Sequence, residues 1–173
     1  MVNIIDKKAE AIIDPSAHHL YEMAEIFISG QNEHYQRMPE IFCAPENHVE
    51  IIQYLRSFLK PKNPLRRRHK FSCVWVRDDK IGGYILYKLN LSSDVFFGEN
   101  RWTCFIEDIA VAPAFQKQGI ASALMTHLLE NELASYKPCM VSGQVWRNNI
   151  ASEGLFEKHL FEDSSKTYFR ILR

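Results

Sequence analysis

The sequence is poor in several signals, and each absence narrows the possibilities. No two of its four cysteines, Cys43, Cys73, Cys104 and Cys139, lie closer than 30 residues apart. There is therefore no C-x-x-C pair, which excludes a zinc ribbon, a thioredoxin-like redox site and a disulfide scaffold. Lys+Arg 21 against Asp+Glu 21 leaves no net charge. No global field draws the chain to nucleic acid or anionic lipid. No apolar run approaches the length of a bilayer span. The segment Met1-Val2-Asn3-Ile4-Ile5-Asp6-Lys7-Lys8 lacks the apolar core of a signal peptide. Reduced thiols in a cytoplasmic setting, with neither nucleic acid nor membrane as partner, are expected. With only seven glycines and seven prolines in 173 residues, no Gly/Pro-rich linker divides the chain. One domain over residues 1–173 is expected, burying roughly 70% of its unfolded surface without metal or disulfide staples.

What is present reads as alternating elements. Ala11–Asp14 is a short strand, and Leu20, Met23, Ala24, Ile26 and Phe27 mark a helix ended by Ser29-Gly30. Gln31–Asn47, with Pro39 and Pro45, reads as a loop, and Val49–Leu59 as a second amphipathic helix. Lys62–Lys70, with Arg66-Arg67-Arg68-His69-Lys70, is a basic connector best read as solvated. Phe71–Val76 and Ile81–Leu89 are strands joined at Asp78-Asp79, a hairpin signal. Arg101–Val111 is a third long strand and Gly119–Leu133 the clearest helix. A strand over Met140–Trp146, a helix over Asn149–His159 and a last strand over Thr167–Leu172 follow. The unit from Ile106 to Val145 implies a parallel crossover. The expected fold class is α/β (α+β): a mixed, mostly antiparallel sheet of 6–7 strands with about four helices on both faces.

Chemistry concentrates where the third long strand turns into the clearest helix. In Ile106-Glu107-Asp108-Ile109-Ala110-Val111-Ala112-Pro113-Ala114-Phe115-Gln116-Lys117-Gln118-Gly119-Ile120-Ala121, a buried strand opens through a short turn into a helix. The first amides of such a helix lack intrahelical partners and carry the positive end of its dipole. Gly119 has no Cβ to block a ligand, and Lys117 adds a charge. The junction suits phosphate or pyrophosphate, though it is neither a Walker A loop nor a G-x-G-x-x-G turn.

The segment Gln116-Lys117-Gln118-Gly119-Ile120-Ala121 resembles motif A of the GCN5-related N-acetyltransferases, [Q/R]-x-x-G-x-[G/A] after a strand. A second element of that family, an Asn with a Tyr seven residues on and a Gly-Phe five beyond, is matched by Asn149, Phe156 and Phe161. Here Phe156 stands for the Tyr and Leu160 for the Gly. The resemblance implies an acetyl-CoA-dependent N-acetyltransferase acting by direct transfer to an amine. Pantetheine would pair with Ile109, Ala110 and Val111, and the pyrophosphate would sit on the amides from Lys117 to Ser122. Gln116, Asn149, Ser152 and Phe156 complete the implied coenzyme A set; Asn149 and Ser152 equally read as helix-start residues.

An amine resembling lysine, of pKa about 10.4, arrives protonated and must lose that proton. Ile106-Glu107-Asp108-Ile109-Ala110-Val111 is similar to the Leu-Glu-Asp-x-x-Val of the diamine (spermidine/spermine-type) branch, which puts Glu107 first as base and Asp108 second. Strand alternation sends the two to opposite faces unless a bulge intervenes. An amide near Val111 would polarise the thioester carbonyl. Phe156 removes the proton donor that the family offers to the departing thiolate, and Tyr168 or water is the expected substitute.

Glu33, Glu40, Glu46, Asp94 and Glu99, with Tyr35, Phe42, Phe96 and Phe97, would wall an acceptor groove suited to a small cationic amine such as a polyamine or diamine. A peptide or protein amine is the alternative acceptor, and a coenzyme A-binding sensor without turnover the alternative class. His18, His19 and His34 read as surface or satisfied histidines, so no metal is expected. A homodimer is implied by the resemblance alone.

Overall fold

In a computed structural model, the structure describes residues 10–45, 47–59, 69–92 and 101–163. Five strands form one sheet among them: β1 (Glu10–Ile13), β2 (Lys70–Arg77), β3 (Lys80–Ser92), β4 (Arg101–Val111) and β5 (Cys139–Gly143), in the order β1-β2-β3-β4-β5. The first three pairings are antiparallel and β4–β5 is parallel, as a crossover through a helix requires. Asp78 and Asp79, with φ of 52° and 59°, close the β2–β3 hairpin in the left-handed geometry of a I′ turn. Against the expected 6–7 strands, the described residues form five; the strand expected over Thr167–Leu172 lies outside them.

Helices cover both faces because the strands alternate. Val74, Tyr84 and Leu86 point to one face, onto α1 (Leu20–Arg37) and α2 (His48–Arg56) through Met23, Ala24, Ile51 and Leu55. Cys73, Trp75, Ile85, Tyr87, Cys104 and Ile106 point to the other. There they meet α3 (Ile120–His127), its π-helical continuation Leu128–Glu132, and Leu155 and Phe156 of α4 (Ile150–Lys158). α2 is capped by Asn47, whose side chain accepts from the amides of Val49 (3.1 Å) and Glu50 (3.3 Å).

Two expected boundaries fail. α1 does not stop at Gly30 but runs on to Arg37, so Gln31–Arg37 is helix rather than loop. Gly30 carries no positive φ, nothing crowds it, and the next proline is Pro39. Glu33 and Arg37 add an i,i+4 ion pair at 3.0 Å. β5, expected to reach Trp146, ends at Gly143. β4 is paired with β5 only from Trp102↔Cys139 to Ile106↔Gly143, and the two strands part beyond that point.

Candidate active site

Where β5 leaves, β4 also carries an extra residue. Leu86 stands opposite Asp108 and Tyr87 opposite Ile106, so Glu107 has no counterpart on β3 and forms a bulge. Alternation is interrupted, and the carboxylates of Glu107 and Asp108 both turn toward the α1–α2 face. Tyr54 of α2 donates to Glu107 Oε1 at 3.4 Å, and Lys88 Nζ stands 2.7 Å from Glu107 Oε2. Tyr84 donates to Asp108 Oδ2 at 2.6 Å.

The two acids differ in what holds them. Glu107 has a cationic partner. Asp108 is buried enough that desolvation pushes its carboxyl up to about 6, against the hydrogen bonds from Tyr84 and the Ile109 backbone; the nearby Glu107 charge pushes the same way as burial. Burial, with Glu107 and Asp108 beside Tyr54 and Asp108 beside Tyr84, holds both hydroxyls protonated well above the usual tyrosine range. Both tyrosines therefore act as donors at any ordinary pH.

Two cavities meet at this point. One, of about 190 Å³, is lined by Phe27, Tyr54, Glu107, Asp108, Trp146 and Phe156, among others. The other is an open groove of about 540 Å³ between α1, the end of β4 and the starts of α3 and α4. Asp108, Ile109, Gln31, His34, Asn149 and Ser152 line both. The extended α1 is what brings Gln31 and His34 to the site. His34 stacks on Phe42 (5.1 Å, 21°), which meets Trp146 edge-on (5.0 Å, 82°). Burial, then the nearby Arg37, lowers the pKa of the His34 ring and favours its neutral form.

The groove collects most of the residues that sequence reasoning assigned to a cofactor. Ile109, Ala110, Val111, Gln116, Lys117, Gly119, Ile120, Ala121, Ser122, Asn149 and Ser152 all line it. Lys117 (φ 60°) and Gly119 (φ 82°) adopt left-handed backbone, which turns the loop into the head of α3. The first bond into the helix runs from the Ala123 amide to the Gly119 carbonyl at 2.9 Å. The amides before it have no acceptor within the helix, as at any helix start. Gln118 departs from this set: its side chain accepts from Arg77 (3.1 Å) and donates to the Ala114 carbonyl (3.2 Å). Phe156 lines the smaller cavity instead, packed on Phe161 (4.8 Å) and against Gly143, where a Cβ would fall 2.6 Å from its ring. Asn149 caps α4, its side chain accepting from the Ser152 amide at 3.4 Å, while still lining both cavities. Ser122 Oγ bonds His159 Nε2 at 2.9 Å and ties the start of α3 to the end of α4.

Of the expected acceptor walls, Phe42 joins the aromatic stack, Glu33 is paired with Arg37, and Glu40 is exposed. Glu46, Asp94, Phe96, Phe97, Glu99, Tyr168 and Arg66–Arg68 lie outside the described residues. Phe27, Tyr54, Lys88, Gln144 and Trp146 were not singled out from sequence; aromatic residues at helical spacing are indistinguishable there from core.

Comparison with known proteins identifies the family and the fold. The model of the acetyltransferase (GNAT) family matches residues 30–161. The BH1408 protein from Bacillus halodurans, in a single-site mutant form, superposes with a TM-score of 0.76 at 16% identity, over 94% of this chain and 99% of that one. A possible acetyltransferase from Clostridium difficile 630 gives 0.69 at 14% identity, over 95% and 97%. The aminoglycoside N-acetyltransferase AAC(6')-Iy, solved in complex with CoA, gives 0.68 at 16%, over 98% and 99%. At these identities the likeness is one of fold. No curated protein matches the chain in sequence. No helix among the described residues is long and apolar enough to cross a membrane.

Proposed function

The chain belongs to the acetyltransferase (GNAT) family and is an acetyl-CoA-dependent N-acyltransferase; from that premise we propose that it moves the acetyl group directly onto the primary amine of a small cationic acceptor. The observation that carries this reading is the meeting of the two cavities at Asp108 and Ile109, where β4 has lost its β5 partner. A thioester reaching in along Ile109, Ala110 and Val111 and an amine entering the smaller cavity arrive at the same place. The pyrophosphate would rest on the amides of the loop Lys117–Ser122, with Gln116, Asn149 and Ser152 beside it.

In this reading Asp108 takes the ammonium proton. Its carboxyl, pushed up to about 6, is a stronger base than an ordinary aspartate, and it opens onto both cavities. Glu107, already paired with Lys88, holds the acceptor's positive charge beside Tyr54 and Trp146. This reverses the order expected from the diamine-branch resemblance, where Glu107 came first. The nitrogen lone pair attacks the thioester carbon, the C–S bond breaks, and the thiolate leaves without a tyrosine acid at Phe156. A conjugate-acid pKa of about 8.5 makes that departure feasible with water as the eventual proton source.

The lining of the smaller cavity by Glu107 and Asp108 beside Tyr54 and Trp146 supports a cationic acceptor such as a polyamine or diamine. A homodimer, on the strength of the resemblance, a cytoplasmic setting, from the cysteine spacing, and one domain over 1–173, from the chain length, complete the proposal. The test is free-thiol release from acetyl-CoA against a panel of diamines, polyamines, an aminoglycoside and a lysine peptide. Turnover highest with the diamines and polyamines, with intersecting double-reciprocal plots, is the expected result; preference for the peptide would sink the acceptor assignment.

A further inference from the structure

The opposite face of the sheet holds a group of side chains that acetyl transfer does not use. Cys73 of β2, His127 at the end of α3 and Glu132 in the π-helical turn bring a thiol, an imidazole and a carboxylate within 4.8 Å of one another. We propose that these three residues bind a thiophilic divalent cation of the zinc class, clipping α3 to the sheet.

The backbone accounts for the convergence. Cys73 faces α3 because it shares a strand face with Trp75, and it is buried. In a regular α-helix residues five apart lie about 140° apart around the axis and do not meet. Here the helix widens after His127, with the Leu133 amide bonded to the Leu128 carbonyl at 3.0 Å, an i→i+5 bond. That turn brings Glu132 Oε1 to 3.4 Å from His127 Nε2.

A second layer orients both ligands. Tyr87 donates to Glu132 Oε2 at 2.7 Å, leaving Oε1 directed at the imidazole. The Asn131 side-chain amide lies 2.9 Å from His127 Nδ1. With the amide turned so that its oxygen accepts from Nδ1–H, Nε2 presents its lone pair to a cation, the outer-shell arrangement usual around a metal-bound histidine.

The chemistry selects the cation class. Thiolate plus imidazole suits zinc and disfavours calcium or magnesium. Binding releases the thiol proton, and thiolate and carboxylate then neutralise the dication, so no net charge is buried. Tetrahedral bonds of about 2.0–2.3 Å imply ligand separations of about 3.3–3.7 Å. The partly exposed His127 and Glu132 side chains close the remaining distance by small rotations. An open groove lined by Ser122, Thr126, His127 and Asn131 gives an entry path and room for a water as fourth ligand. Sequence reading missed the site because the ligands sit on β2 and at the end of α3, with no motif spacing.

Cobalt(II) titration of the reduced, chelator-stripped full-length protein tests the proposal. One equivalent is expected to produce a thiolate-to-cobalt charge-transfer band that zinc abolishes, with a higher Tm in either metal. Cys73→Ser and His127→Ala each remove the band, and Tyr87→Phe weakens binding about tenfold. Circular dichroism establishes that each variant is folded, and His127, being partly exposed, carries the test should Cys73→Ser unfold. Absence of a band in the unmodified protein, or a band that survives in His127→Ala, overturns the site. Neither outcome bears on acetyl transfer, which is read separately.

Discussion

The two halves of β4 show how one strand serves two purposes. From Trp102 to Ile106 it is flanked by β3 and β5, and it buries Cys104 and Ile106 against α3. Beyond the unpaired Glu107, Asp108 to Val111 keep β3 but have parted from β5, and this half lines the cavities. The first half gains stability from closure. The second leaves one edge of its backbone without a β5 partner, and the candidate site lies where that pairing stops.

The comparison is broken most severely at Asp108. Asp108→Asn is expected to lower kcat/KM for the amine by about 10²–10³ while acetyl-CoA affinity, read by calorimetry, stays within about threefold. The pH profile gives the sign. A carboxyl raised to about 6 is protonated and inactive below that pH and charged above it, so kcat/KM should rise through about pH 6. The inflection should vanish in the variant; its survival would assign the base elsewhere.

Next comes the cofactor loop. Gly119→Ala places a Cβ on left-handed backbone (φ 82°), a strain of about 1–2 kcal/mol, and should weaken acetyl-CoA binding about tenfold by calorimetry. The closed half is probed at its last paired residue. A Cβ in Gly143→Ala falls 2.6 Å from the Phe156 ring, so thermal unfolding should report a loss of about 1–3 kcal/mol. Gly154→Ala, with open space around it in α4, should instead stabilise by about 0.5 kcal/mol.

On the rate, the smallest effect is expected from Phe156→Tyr. The restored hydroxyl has to clear Gly143, so a gain in kcat of only about two- to tenfold is expected from stopped-flow thiol release. A rate unchanged across pH with cofactor still bound would remove leaving-group protonation from the account.

Local features were legible in the chain. The Asp78-Asp79 hairpin, the parallel crossover and the strand–loop–helix around Gly119 each follow from a few adjacent residues. What was not legible depends on distant partners. Ser29-Gly30 carries a stop signal, yet α1 continues to Arg37, and His34, read as a surface or satisfied histidine, is carried to the cavities. The bulge at Glu107 leaves no mark in composition, since its evidence is the register of β3. Tyr54 and Lys88 reach Glu107 from two different elements, a meeting that no spacing rule encodes.

The supernumerary residue at position 107 has a further consequence. It acts as a phase shift in the inside–outside parity of the strand: below it even-numbered side chains enter the α3 core, and above it odd-numbered ones do, as Ile106 and Ile109 illustrate. A one-residue deletion there would restore strict alternation and leave a single acid facing the cavity.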